Sequence, residues 1–399
     1  MNNFKNWKKN IFRFLTAQTI SLLGSSIVQY SIIWYITIST SSGIMLTIAT
    51  VCGFLPQVII SLFAGVWIDR YDRKKMIILS DLMIAVMTLI LALSFLSGFK
   101  FTWLLFIVLI VRSFGTGIQT PAVNAIIPQI VPNEHLMRIN GINSTLSSLM
   151  MFISPAVSGA VLSIVSLEAT LFIDIITAMI GIGITLTISI QNYQRKDKID
   201  NSYLKEIKDG FIYLKENRFI KRLLIFQILI LFLISPSAFL TPLMVSRTFG
   251  PQVWRLTASE MTYSLGMVIG GLLITAWGGF KKKIDTTLLA GALYGIIMMS
   301  LGLAPYFLLY LLLNMIIGIT SPCYNAPITV SIQEKVDPSM HGRIFSLMQI
   351  STSCALPLGM VIFGPIADYI AIQWLLLGAG SIVFLLSLYI YCSHYFEIN

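Results

Sequence analysis

Charge is scarce in this chain: Asp, Glu, Lys and Arg make up 11% of its 399 residues, and only three histidines are present. A soluble domain carries about 25% charged residues, so a surface of ordinary water-facing composition is excluded. Intrinsic disorder goes with it, because a disordered chain combines low hydrophobicity with high charge. The four cysteines, Cys52, Cys323, Cys354 and Cys392, stand singly in apolar segments without disulfide or metal-ligand spacing. They read as small hydrophobes rather than as a scaffold or a metal site. No Walker-type phosphate loop is present, and no His pair, Ser/Lys dyad or carboxylate pair lies within the apolar segments, which removes the usual constellations of an intramembrane enzyme.

What is there is apolar: 56% of the residues are hydrophobic. They form runs of about twenty, the length with which an α-helix crosses the hydrocarbon core. Outer-membrane strands alternate over about ten residues, so a barrel is excluded. Spans are predicted near 12–38, 43–68, 76–97, 102–126, 140–164, 169–190, 220–245, 257–279, 286–304, 306–330, 343–365 and 371–392. Twelve spans put both termini on one side. All of the 27 Lys and Arg except Lys100, Arg112, Arg247 and Arg255 fall on that side, which makes it the cytoplasmic one. The net charge of +10 is then a topology signal with some attraction to anionic lipid heads, and nucleic-acid binding loses its support.

The longest polar break divides the chain into an N-terminal six-helix half (1–190), a linker (191–219) and a C-terminal half (220–399). Leu204, Ile207, Phe211 and Leu214 recur in the linker at helical spacing; they predict an amphipathic helix on the inner leaflet, with a solvated linker as the alternative. The halves are related. Gly117-Ile-Gln-Thr-Pro121-Ala-Val-Asn124-Ala125 in the fourth span matches Gly318-Ile-Thr-Ser-Pro322-Cys-Tyr-Asn325-Ala326 in the tenth, and Pro155 corresponds to Pro357. Six spans separate the copies, so the repeats are parallel, an arrangement that places a transport site at the midplane between halves.

Polar groups in hydrocarbon need a partner or a wet cavity. Gln18, Gln29, Gln119, Asn124 and Asn325 are the substrate-cavity candidates; hydrogen bonding between helices is the competing explanation. Arg112 and Asp174 are the ionisable residues clearly within spans. A lone carboxylate in a low-dielectric cavity could carry a proton, so both are proton-coupling candidates, with an outer-interface position open for Asp174 and a structural ion pair open for Arg112. Asp81 is expected to pair with an Arg of the 69–75 break, while Glu260 and Asp368, near outer ends, are expected to be solvated.

Between spans two and three stands Gly65-Val-Trp-Ile-Asp69-Arg70-Tyr-Asp72-Arg73-Lys74-Lys75, a close-approach Gly followed by an acid and a basic cluster at the membrane face. With twelve spans and a six-plus-six repeat, it resembles the signature of the major facilitator superfamily, Gly-x-x-x-Asp-Arg-x-Gly-Arg-Lys/Arg. Asp72 in place of the second Gly is similar to the drug-exporting branch related to macrolide efflux proteins. Arg112-Ser-Phe-Gly115-Thr-Gly117 resembles the family's fourth-span motif, and segments around Pro128, Ser154 and Arg343 resemble macrolide exporters. The second-half break, Gly278-Gly-Phe-Lys-Lys-Lys283, has no acid, and Ser154-Pro155 with Ser158-Gly159 departs from the Gly-Pro-x-x-Gly-Gly antiporter motif.

The resemblance implies an all-α integral membrane protein of two parallel six-helix repeats in the cell membrane. Gly65, Asp69, Arg70 and Arg73 would form a conformational latch, and Arg112 would take a proton-linked role. The expected function is proton-driven, alternating-access export of macrolides or other amphipathic compounds, without a cofactor and as a monomer. Export of a siderophore, transport of lysophospholipid, and a non-transporting scaffold or sensor remain as alternatives.

Overall fold

The computed structural model describes residues 6–188, 213–214, 217–337, 340–393 and 396. Among these residues the regular structure is entirely helical, since a segment in hydrocarbon must satisfy its backbone hydrogen bonds internally. The first helices are α1 (Trp7–Thr40), α2 (Gly43–Arg70), α3 (Arg73–Leu96), α4 (Thr102–Ile130), α5 (Leu136–Ile164) and α6 (Leu167–Leu186). After the linker come α7 (Arg218–Phe239), the short α8 (Thr241–Thr248), α9 (Val253–Trp277), α10 (Lys283–Gly302), α11 (Phe307–Lys335), α12 (His341–Ile366) and α13 (Ile372–Cys392). The amphipathic helix expected in 191–219 lies outside the described residues, apart from Tyr213, Leu214 and the start of α7.

Eleven helical stretches among the described residues are long and apolar enough to cross a membrane, with α7 and α8 counting as one. The eighth predicted span is α9, which has the length, 25 residues, but carries Ser259, Glu260, Thr262, Tyr263 and Ser264 in succession with little interruption. That polarity has a place to go, described below. Large side chains such as Leu79, Leu93, Leu272, Leu308 and Leu385 stand exposed, far beyond what a water-soluble monomer tolerates, and form the lipid-facing surface.

The chain divides into two compact units: 1–40 with 48–197, and 41–47 with 198–399. In the first, α1 packs on α4, α5 and α6, and α3 packs on α4 and α6. In the second, α7 packs on α12 and α13, α10 on α11 and α13, and α9 on α11. The pairs α1–α6, α1–α5, α3–α4 and α3–α6 thus recur as α7–α13, α7–α12, α10–α11 and α10–α13, which is the repeat expressed as packing. Each unit has its own apolar cluster, one around Phe14, Ile77, Ile126 and Ile127, the other around Leu223, Phe226, Leu288 and Ile344.

The matched sequence pattern has a steric reason. A Cβ on Gly318 would stand 2.2 Å from the Tyr263 carbonyl oxygen of α9, and one on Gly117 would stand 2.9 Å from the Gln57 carbonyl oxygen of α2. In each half the glycine lets the fourth helix approach the second backbone to backbone, the small-residue packing that membrane helices use.

Candidate functional site

The basic motif after α2 ties helix ends together. Asp72, where the family pattern has glycine, is the N-cap of α3: its carboxylate accepts from the backbone N–H groups of Lys74 and Lys75 at 2.9 and 3.2 Å, satisfying donors that the first turn leaves open. Arg73 reaches the Ala125 carbonyl oxygen of α4 at 2.7 Å. Lys74 donates to the Leu186 and Ile188 carbonyl oxygens at 2.9 and 2.8 Å, a cation at the negative end of α6. Arg70 is exposed. Gly65 and Asp69 lie in α2, and their surroundings fall outside what is described. Lys74 was not among the expected latch residues, although its place beside Arg73 in a basic run was the available signal.

In the first unit, four helices converge on buried charge. Arg112 of α4 is 4% exposed and Asp174 of α6 is 0% exposed, and they form an ion pair through Nη1 and Oδ2. Thr88 of α3 lies between them, its Oγ1 2.7 Å from Arg112 Nη1 and 3.1 Å from Asp174 Oδ2. From α1, the Ser25 hydroxyl donates to Asp174 Oδ1 at 3.0 Å, and the Ser25 carbonyl oxygen accepts from Arg112 Nη2 at 2.8 Å. Arg112 Nε is buried without a partner among the described residues. The two candidates therefore form one group: Asp174 is the counter-ion of Arg112 and is not solitary.

A second buried acid stands two turns earlier on α3 than Thr88. Asp81, 3% exposed, accepts from the Ser21 hydroxyl and from the Gln119 side-chain amide, each at 2.8 Å. Its expected pairing with an Arg of the 69–75 break is thus replaced by neutral donors from α1 and α4, because the helix face that carries it turns inward. Gln119 is committed to Asp81. Gln18 Nε2 is buried without a described partner, Gln29 is half-buried and Asn124 is exposed.

The second unit holds a cavity of about 250 Å³ whose wall includes Glu260, Tyr263, Tyr294, Asn314, Tyr324 and Asn325. Asn325 is the substrate-cavity candidate placed there. Glu260 was expected near a solvated helix end. The helix begins at Val253 and not near 257, which sets Glu260 two turns, roughly 10 Å, inside α9. The polarity of α9 was the signal that could have found it. Tyr294 OH and Ser237 Oγ lie 3.0 Å apart, and Asn314 Nδ2 donates to the Ser259 carbonyl oxygen at 2.7 Å.

Asp368 also differs from the expectation of a solvated acid. It accepts from the backbone N–H groups of Gly43 and Ile44 at 2.6 and 2.9 Å and from the Ser42 hydroxyl at 2.8 Å. It also pairs with Arg247 at 2.7 Å. Partial burial pushes its acidity down, but those donors outweigh it and hold the carboxyl below its usual range. All of these groups belong to the second unit, in which residues 41–47 are counted.

Buried charge between helices and a polar cavity stand in two related helical halves, and the family model of the major facilitator superfamily matches residues 14–355. The chain belongs to the major facilitator superfamily. Like the family, it is a multi-pass membrane transporter of small molecules and not an enzyme. It is 33% identical to macrolide efflux protein A of Streptococcus pyogenes over 390 residues, 96% of each chain. A staphyloferrin A transporter of Staphylococcus aureus is 21% identical over 364 residues, 90% of each chain. Among solved structures, the nucleoside transporter NupG shares the fold with a TM-score of 0.71 at 15% identity, covering 97% of this chain and 100% of that one.

Proposed function

We propose that this facilitator-superfamily transporter exports macrolide-type amphipathic compounds by alternating access, drawing on the proton gradient. The observation that carries the reading is the 33% identity to macrolide efflux protein A along 96% of both chains. Proton coupling is assigned to the Arg112–Asp174 group. Arg112 keeps its charge at any working pH, so a proton on Asp174 would remove the counter-ion and weaken the hold of α6 on α4. A carrier whose two conformations differ in that hold responds to the gradient. The Lys and Arg bias supports termini facing the cytoplasm, with basic segments against anionic lipid heads and the monomer as the working unit.

Siderophore export, which the staphyloferrin A relative brings forward, and lysophospholipid transport would both bring an anionic group into the cavity. The cavity of the second unit carries Glu260 and, among the described residues, no Lys or Arg in its wall, which favours neutral or cationic cargo. The test is expression in a drug-sensitive, efflux-deficient bacterium. Cells carrying the transporter are expected to accumulate several-fold less macrolide than empty cells, and an uncoupler is expected to erase the difference. Equal accumulation without uncoupler would overturn the reading.

A further inference from the structure

Glu260 poses an electrostatic problem that the fold does not solve by itself. It is half-buried in the cavity wall, and it makes neither an ion pair nor a hydrogen bond among the described residues, where the ion pairs are Lys100–Glu168, Arg112–Asp174 and Arg247–Asp368. The nearest base on its own helix is Arg255, which is held over the rings of Trp254 and Phe307 at 5.3 and 5.7 Å and is not part of the wall. A half-buried carboxylate that faces a narrow cavity without a counter-ion is only partly screened by water, and a cation that enters the cavity can pair with it.

The rest of the wall is made for such a cation. Tyr263, one turn after Glu260 on α9, and Tyr294 and Tyr324 from α10 and α11 all line the same cavity. Aromatic rings with a carboxylate attract ammonium groups whose substituents are apolar, through the negative ring faces. Two polar groups wait unpaired: Tyr324 OH and Ser259 Oγ are buried with no hydrogen-bond partner among the described residues, in residues 5% and 1% exposed. Buried groups of this kind ask for a ligand or water. The volume sets the scale. About 250 Å³ falls below the roughly 300–1,000 Å³ of pockets that enclose a whole drug-sized ligand, so the cavity holds an appendage and not a macrocycle.

We propose that Glu260, Tyr263, Tyr294 and Tyr324 form an organic-cation subsite that binds the protonated amine appendage of an amphipathic cargo. The carboxylate pairs with the ammonium, the rings cover its alkyl groups, and the unpaired hydroxyls meet polar substituents next to it. The subsite deepens the macrolide-export reading and rests on it for the choice of cargo, since a basic amino sugar on a large lactone has the required shape and charge. The recognition itself needs only an amine of the right size.

The test is binding to the full chain in nanodiscs of a macrolide bearing a dimethylamino sugar. Its neutral counterpart, N-demethylated and acetylated, and tetraethylammonium are measured beside it. Wild type is expected to prefer the amine over the neutral form by at least about tenfold, roughly 1.4 kcal/mol. E260Q is expected to erase that preference, leave the neutral form unchanged and weaken tetraethylammonium, and E260D to restore part of it. An amine preference that survives E260Q overturns the subsite. Should E260Q not fold, N325K supplies an ammonium from the same wall, and an undiminished amine preference in that variant overturns it equally. If wild type binds neither macrolide, the export reading fails on its own. The subsite then stands on loss of tetraethylammonium binding in E260Q and falls if that binding is unchanged or absent.

Discussion

Replacing Asp174 by Asn removes the counter-ion of Arg112 while keeping the size of the side chain. The guanidinium, 4% exposed, retains the Ser25 carbonyl oxygen and Thr88 Oγ1 but no negative charge in contact. The next acid of that unit is Asp81, seven residues before Thr88 on α3 and so roughly 10 Å away along the helix. At an effective dielectric of about 20 its attraction is about 1.7 kcal/mol, against about 4 for a charge at 4 Å. Asp81 therefore makes up less than half of the loss. Breaking a buried pair from one side costs about 3–5 kcal/mol. For a unit the size of 1–40 with 48–197 that corresponds to a fall in Tm of roughly 6–20 °C, read by thermal unfolding in detergent. The double variant R112L/D174L, which removes both charges, is expected to regain stability to within about 1 kcal/mol of wild type. Gradient-driven uptake into inverted vesicles should be lost in both, which separates coupling from folding. Wild-type Tm in D174N would refute the electrostatic account of the pair. Gradient-driven transport by the stable double variant would refute its role in coupling.

Further outcomes follow from the same geometry. Asp72→Ala removes the cap of α3 and is expected to destabilise by about 1 kcal/mol, whereas Asp72→Gly, the family residue, loses only a few tenths; equal losses in thermal unfolding would contradict the capping account. Gly318→Ala sets a Cβ 2.2 Å from the Tyr263 carbonyl oxygen, and the forced separation of α11 from α9 should cost about 1–3 kcal/mol; an unchanged Tm would show that the helices yield freely. The Asp368 cluster has a defined pH signature. Because its carboxyl is held below the usual range, its contribution is fully present above the ordinary carboxylate pKa of about 4 and is lost as pH falls through the lower folded value. Asp368→Asn should thus lower Tm at pH 7, with the gap to wild type closing in acid below about pH 4. A gap that stays constant with pH would disprove the charge-based hold on Gly43 and Ile44.

Within the candidate site, what could be read beforehand depended on position along the chain. Arg112 and Asp174 stood out because so few residues in the spans are ionisable, and Asn325 because the repeat marks it. Asp81 and Asp368 were visible as acids, but their partners were not. Ser21 lies 60 residues from Asp81 and Gly43 lies 325 residues from Asp368, and no local pattern joins such positions. Glu260 was misread for a smaller reason: a helix start displaced by one turn moved it from two turns deep to the edge. The polar run on α9 that blurred the hydropathy boundary is the same run that lines the cavity.

By itself the sequence determined that the chain crosses a membrane about twelve times, as two like-oriented halves joined by a basic linker. These properties are local: a span is a length of apolar residues, and a repeat is a spacing. Only the tertiary structure decided which polar groups meet, uniting Arg112 with Asp174 and setting Glu260 among tyrosines without an ion-pair partner among the described residues. The physical reason lies in the spans themselves. A helix apolar on nearly every side carries little periodic signal of which face turns inward, so the rotation of each helix is set by side-chain packing and by close approaches such as Gly318 against Tyr263. That rotation, and not the hydropathy of the segment, selects the partner of every buried charge.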